Sequence, residues 1–112
     1  MKVSRFDVWL ADLNPRMGTE PGKVRPVLVV QTNLLNEIHP STVICPITSN
    51  TTDEATLIRV RIGKESGLQT PSDVMIDQIR AVDNRRLLKR MGRISQSARQ
   101  KVANGLIILM DL

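Results

Sequence analysis

Between residues 25 and 31 the chain reads Arg25-Pro26-Val27-Leu28-Val29-Val30-Gln31, apolar with almost no alternation, the pattern of a strand buried on both faces. Shorter segments on either side also predict strands. Residues 7–13 form the first. Residues 42–48 are interrupted only by Pro46, which predicts a bulge or an edge there. In residues 58–62, Ile58, Val60 and Ile62 alternate with Arg59 and Arg61, apolar side inward and arginine side outward. Residues 74–82 predict a longer strand and residues 89–94 a last one. Asn14-Pro15, Gly22, His39-Pro40, Gly63, Gly67 and Pro71 supply the turns between them. Residues 33–38 predict a short helix. Ser95 is a suitable N-cap, and Ala98, Val102, Leu106 and Leu109 then recur at helical spacing, with Gly105 as a weak point. Many short strands closed by one helix predict a mainly β chain with a C-terminal helix, a small curled antiparallel sheet or barrel forming a single domain over residues 1–112. No repeat, linker or low-complexity segment interrupts it.

Composition refines this picture in three ways. With 112 residues, 41% of them hydrophobic, the chain can bury one modest core. Its only aromatic residues are Phe6 and Trp9, too few for a base-stacking platform. The net charge of +5 is unevenly spread: residues 80–101 hold eight basic side chains against one acid, Asp83. Such asymmetry favours a polyanionic or acidic partner, the alternative being an ordinary solvated face. Cys45 is the one cysteine and sits in the apolar run Val43-Ile44-Cys45-Pro46-Ile47, so it reads as a small core residue. Lys2, Arg5 and Asp7 interrupt any signal-like apolar run, and no stretch reaches membrane-spanning length. The expectation is a cytoplasmic protein that does not engage a membrane.

The candidate chemistry lies where strands leave loops. Gly18-Thr19-Glu20-Pro21-Gly22-Lys23-Val24 empties through Arg25 into the apolar strand, and Pro26 restrains Arg25 to an extended backbone. An arginine held this way is preorganised for an anion such as phosphate. The strand at 42–48 likewise ends in Thr48, followed by Ser49-Asn50. One His and one Cys do not make a usual transition-metal site, and Asp53-Glu54 point to opposite faces if extended. His39, beside Pro40, is poorly suited to a Ser-His-Asp triad. Neither a P-loop nor a dinucleotide fingerprint occurs. Metal-free phosphoryl chemistry remains. RNA carries its own nucleophile, the 2′-hydroxyl, so a protein need only move protons and stabilise charge on phosphorus oxygens. The plainer readings stay open: Glu20 and Arg25 as an ion pair closing the loop, and Thr48 as an ordinary strand-end residue. Gln78 and Arg80, placed after Asp77 on one strand, share a face by alternation. That face either meets nucleic acid or is a polar pair within the barrel.

Asp7-Val8-Trp9-Leu10-Ala11-Asp12-Leu13-Asn14-Pro15, Gly18-Thr19-Glu20 and Arg25-Pro26-Val27-Leu28-Val29, in this order, resemble the MazF/PemK family of toxin endoribonucleases. Pro46-Ile47-Thr48-Ser49, Ser72-Asp73-Val74-Met75-Ile76-Asp77-Gln78-Ile79-Arg80 and Gly92-Arg93-Ile94 extend the resemblance over nearly the whole chain. It implies an SH3-like small barrel of the CcdB/PemK type that forms a homodimer. It implies the toxin of a type II toxin–antitoxin pair, a sequence-specific, metal-independent nuclease of single-stranded RNA leaving a 2′,3′-cyclic phosphate and a 5′-hydroxyl. Arg25 and Thr48 map onto the catalytic pair, and Glu20 onto a carboxylate that accepts the proton or orients Arg25. Thr19, Lys23, Ser49, Asn50, Asp77, Gln78 and Arg80 are the expected RNA contacts, with no metal or cofactor. The expected protein partner is an acidic, partly disordered antitoxin, and operator DNA is met only through that complex. Two positions depart from part of the family: Thr19 stands where some members carry His, and Met75 where some carry Arg, leaving the role of Asp77 open. Non-catalytic alternatives on the same fold are a gyrase inhibitor or a nucleic-acid-binding module.

Overall fold

The computed structural model describes residues 2–112. Seven strands appear in chain order: β1 (Asp7–Asp12), β2 (Val24–Val29), β3 (Ser41–Thr48), β4 (Arg59–Ile62), β5 (Ser72–Met75), β6 (Arg80–Asp83) and β7 (Leu87–Arg93), followed by one helix, α1 (Gln96–Met110). They form an antiparallel sheet in the order β4-β5-β3-β2-β1-β7, with β6 added to β3. The expected class, mainly β with a C-terminal helix, is the one observed. The helix also starts as expected, with the Ser95 hydroxyl accepting the Ala98 amide at 3.2 Å.

The unbroken apolar run in β2 serves two cores. Leu28 packs with Val8, Cys45, Ile47 and Val74 on one face, which α1 covers through Ala98 and Val102. Val27 and Val29 point the other way, into a second cluster with Trp9, Ala11, Ile44 and Leu87. Alternation along β1 does the same, Val8 going to one cluster and Trp9 to the other. Val60 and Ile62 of β4 are buried while Arg59 and Arg61 face outward, as their alternation predicts.

Three expectations need correction. The long strand over 74–82 is two strands, β5 and β6, separated by one turn of 3-10 helix at Ile76–Gln78. This turn gives Ile76 and Ile79, three residues apart, the same core cluster, which continuous alternation would have denied them. It also removes the shared face drawn for Gln78 and Arg80. Residues 33–38 form successive turns rather than a helix. There Asn36 is buried and bonded to the Gln31 carbonyl and the Asn33 side chain, while Glu37 takes a left-handed backbone at φ 74°. Such local side-chain bonds compete with helix formation. Pro46 lies on an interior strand, opposite Val27 of β2. On its other edge β3 changes partner, pairing 41–44 with β6 and 47–48 with β5, and Pro46 falls in the gap between them.

Two glycines mark close approaches, the first admitting no side chain and the second only a slight shift of its neighbour. A Cβ on Gly92 of β7 would stand 2.5 Å from the Ser66 carbonyl oxygen, and one on Gly105 of α1 would stand 3.3 Å from Ile76. The second contact explains why a residue of poor helical propensity sits mid-helix. Among the described residues no helix is long and apolar enough to cross a membrane. Because backbone, not a flexible side chain, blocks the space at Gly92, Gly92→Ala is expected to lower stability by about 1–3 kcal/mol, read as a fall in thermal midpoint against wild type. An unchanged midpoint would contradict the close approach.

Candidate active site

The β2–β3 register brings the two leading residues together. Val27 faces Pro46, Leu28 faces Cys45 and Val29 faces Ile44. Two residues further in the same register, Arg25 lies across from Thr48. Both line an open cleft of about 410 Å³ together with Lys23, Ser49 and Asn50. Arg25 is half-buried and its Nε donates to the Gly22 carbonyl at 3.1 Å, its one hydrogen bond among the described residues. The terminal nitrogens of its fork are left for a ligand. Burial, and then the charge of Arg16, pull the Arg25 guanidinium below the ordinary arginine range. An arginine stays protonated at neutral pH, and no carboxylate pairs with this one among the described residues, so it presents an uncompensated charge to the cleft. Thr48 Oγ1 accepts the Asn50 amide at 3.1 Å, which fixes the side chain and leaves its hydroxyl free to donate.

Arg25 also borders a second depression, lined by Arg16, Thr19, Glu20, Lys23 and Met75. Glu20 is bound there to Arg80, Nη1 to Oε2 3.7 Å, rather than to Arg25. The simple Glu20–Arg25 ion pair is therefore not the arrangement found. The loop carrying Glu20 is closed at its base: Leu13 N–H donates to the Lys23 carbonyl at 2.9 Å, and Lys23 N–H to Asn14 Oδ1 at 2.7 Å. Lys23 itself takes a left-handed φ of 54°. Asp77 and Gln78, on the 3-10 turn, line neither depression. Cys45 is fully buried, and burial followed by the charge of Asp77 pushes its thiol up to about 12, so it is an inert core residue.

Sequence reasoning passed over Asp73, which is 1% exposed and opposite Thr48 in the β3–β5 pair. Arg61 Nε donates to its Oδ1 at 2.6 Å, and Arg59 lies 3.4 Å from Oδ2. Burial by itself would raise this carboxyl; the bonds from Arg61 and the Thr52 amide, with the charges of Arg61 and Arg59, outweigh it and hold it below the usual range. Asp73 leads the apolar run Val74-Met75-Ile76, and its cations Arg59 and Arg61 are the outward pair of the neighbouring strand, so neither segment alone signals the cluster. Among the described residues no group of three or more His, Cys, Asp or Glu is arranged to hold a metal ion.

The basic segment 80–101 does not form one open face. Arg85 chelates Asp83 through Nε and Nη2, both at 3.0 Å. Arg86 donates to the carbonyls of Asp12 and Asn14, bracing the exit of β1. Arg90 and Arg93 share the buried carboxylate of Asp7 at 3.3 and 3.4 Å.

A family model for the PemK-like, MazF-like toxin of type II toxin–antitoxin systems matches residues 4–110. The chain belongs to this family. It is 34% identical over 113 residues to Endoribonuclease EndoA of Bacillus subtilis (strain 168), covering 100% of this chain and 97% of the relative. Among solved structures, MazF of Deinococcus radiodurans superposes with a TM-score of 0.84 at 21% identity, covering 100% of this chain and 99% of that one. The Mycobacterium tuberculosis toxin MazF-mt6 gives 0.80 at 22%, covering 95% and 97%. A mycobacterial endoribonuclease in complex with its cognate antitoxin gives 0.79 at 22%, covering 98% and 96%. These structures share the MazF fold with this chain.

The Asp83–Arg85 pair yields a direct check on the charge map. The side-chain bond from Arg85 and then its backbone amide lower Asp83 from 3.8 to about 2. The stabilisation of this folded-state carboxylate is present above its ordinary value and is lost as pH falls through about 2. Following Asp83 by NMR titration should show this depression, and Arg85→Gln should return the carboxyl toward the ordinary range. An Asp83 titration indifferent to Arg85→Gln would free Arg85 for other partners.

Proposed function

We propose that this chain is a sequence-specific, metal-independent endoribonuclease acting on single-stranded RNA, the toxin of its toxin–antitoxin pair. The observation that carries the reading is the meeting of Arg25 and Thr48 across the β2–β3 register at the mouth of one cleft. Family membership and an endoribonuclease relative spanning the whole chain support it.

In this reading the substrate's 2′-hydroxyl attacks the adjacent phosphorus while the bond to the 5′-oxygen breaks, leaving a 2′,3′-cyclic phosphate and a 5′-hydroxyl. The free fork of Arg25 neutralises the charge gathering on the non-bridging oxygens, where a preorganised donor is most effective. The Thr48 hydroxyl hydrogen-bonds the same phosphate or its proton-transfer partner, and the leaving 5′-oxygen takes its proton from solvent or from the base that accepted the 2′-proton. Glu20, one depression away and weakly held by Arg80, accepts the 2′-proton or orients Arg25 once RNA displaces that pair. Thr19, Lys23, Ser49 and Asn50 line the two depressions and meet the flanking nucleotides. Arg80 contributes through Glu20, and Asp77 and Gln78 have no direct place beside the reacting phosphate.

The partners follow from the same surface. An acidic, partly disordered antitoxin neutralises the toxin by occupying the RNA cleft, and operator DNA is reached only through that complex. A homodimer covers part of the exposed apolar end of α1, where Ile107, Ile108 and Met110 are uncovered in the single chain. The site of action is the cytoplasm.

Incubation of purified protein with a long RNA in EDTA tests the activity. Discrete cuts with cyclic-phosphate ends support it; intact but shifted RNA favours a binding module, and an inert RNA with inhibited gyrase favours the non-catalytic toxin. Arg25→Ala is expected to cut the rate by about a hundredfold or more with the fold retained, and Arg25→Lys to rescue poorly because the fork is lost. Thr48→Val, which preserves shape and removes the hydroxyl, should also slow cleavage. Near-normal turnover by folded Arg25→Ala would overturn the assignment.

A further inference from the structure

Resting on the reading of this cleft as an RNA site, we infer that Asp73 is a positioning residue that sets sequence selectivity by holding the loop at 49–53. That loop reads Ser49-Asn50-Thr51-Thr52-Asp53 and contains no apolar side chain to anchor it in a core. Its shape depends on polar ties, and nearly all of them lead to one carboxylate. Asp73 Oδ2 accepts the Thr52 amide directly at 3.0 Å. Arg59, paired with the same oxygen, donates to the Asn50 carbonyl at 3.3 Å. Arg61, bound to Oδ1, donates through Nη2 to the Thr52 carbonyl at 3.2 Å and to Asp53 Oδ1 at 2.9 Å.

Arg61 thus has one arm on Asp73 and another on the loop, and Arg59 bridges the two through a single nitrogen, Nη1. A network serving stability alone would have no reason to end on an exposed loop, and apolar replacements often stabilise as well as a buried ion pair. The loop begins at Thr48, and its Ser49 and Asn50 line the cleft beside Arg25. Base edges are told apart by hydrogen-bonding groups held at fixed positions, so the tie at Asp73 governs which nucleotides fit next to the scissile phosphate. Asp73 does not itself line the cleft; it lies behind it as the strand partner of Thr48, and its carboxylate reaches the site through the loop, so its effect is on recognition and not on the reacting atoms.

The test compares wild type, Asp73→Asn and Arg61→Gln on a long RNA, with cut positions read by primer extension, and on a short RNA containing the preferred site. Asp73→Asn preserves volume and one acceptor but removes the charge. It is expected to cut at additional positions and to raise KM on the preferred site about tenfold while kcat stays within about threefold. Arg61→Gln should act in the same direction, and the double variant should add little, because the two belong to one network. If Asp73→Asn does not fold, by circular dichroism, Arg61→Gln alone decides. Wild-type cut positions and KM in the folded variant would overturn the inference, as would a loss confined to kcat. The two readings fail separately. RNA left uncut by wild type removes the nuclease reading and this inference with it, whereas wild-type cutting with an unmoved variant pattern removes only the role of Asp73.

Discussion

The pairing of β2 with β3 is the constraint on which the site depends. Arg25 and Thr48 are not neighbours in sequence, and no bond joins them; they meet because Val27, Leu28 and Val29 sit opposite Pro46, Cys45 and Ile44. In a sheet with one wet face, a slip of one residue is forbidden by the exposure of the whole apolar set. That protection is weak in β2, which is apolar toward both cores. Register must be held by shape and by the ends of the strand. Trp9 fills one cluster opposite Val27, and Pro46 sits where β3 changes partner. The base of the β1–β2 loop is closed by Leu13, Asn14 and Lys23. The loop is thus part of the register device as well as a wall of the cleft.

Alternation and capping made much of this fold legible. The sidedness of β4, the doubly buried β2 and the Ser95 cap all follow from side-chain period and the hydrogen-bonding needs of a helix end. What escaped were departures from regular period. Ile76 and Ile79 lie three residues apart and share a core, a spacing that argues against a continuous strand, but the flanking Val74 and Val82 hid it. In residues 33–38, where a short helix was expected, Leu34, Leu35 and Ile38 are exposed and two asparagines organise the turns. Site residues at strand ends were readable because Pro26 fixes Arg25 and the strand at 42–48 stops at Thr48. Asp73 was not, since its meaning depends on Arg59 and Arg61 arriving from a different strand.

Charge summed along the chain was a poorer guide than charge paired in space. The excess over residues 80–101 is real, but Arg85 answers a carboxylate two residues away, and Arg86 is spent on backbone carbonyls 72 and 74 residues distant in sequence. Arg90 and Arg93 divide one buried Asp7, so a single unit remains where two were counted. The cations that face the cleft with their forks or heads uncommitted, Arg25 and Lys23, come from outside the basic segment. Lys89 and Lys101 remain exposed on the basic segment as well, so the positive charge is divided between the cleft and the face of β7 and α1.

The two walls of the cleft are held by ionic contacts of different strength. On one side Asp73 is nearly inaccessible and receives a guanidinium bond of 2.6 Å; removing a partner from such a buried pair leaves a charge without solvent. On the other, Glu20 and Arg80 are 3.7 Å apart and partly open to water, a long pair whose net worth is small. The 49–53 wall is consequently fixed, while Glu20 can exchange Arg80 for another partner at little cost. Selectivity needs donors and acceptors that do not move, whereas proton transfer needs a carboxylate that can reach the substrate when it arrives. In the proposed nuclease, Arg25, which borders both depressions, stands between a pinned wall and a yielding one, an arrangement suited to both needs.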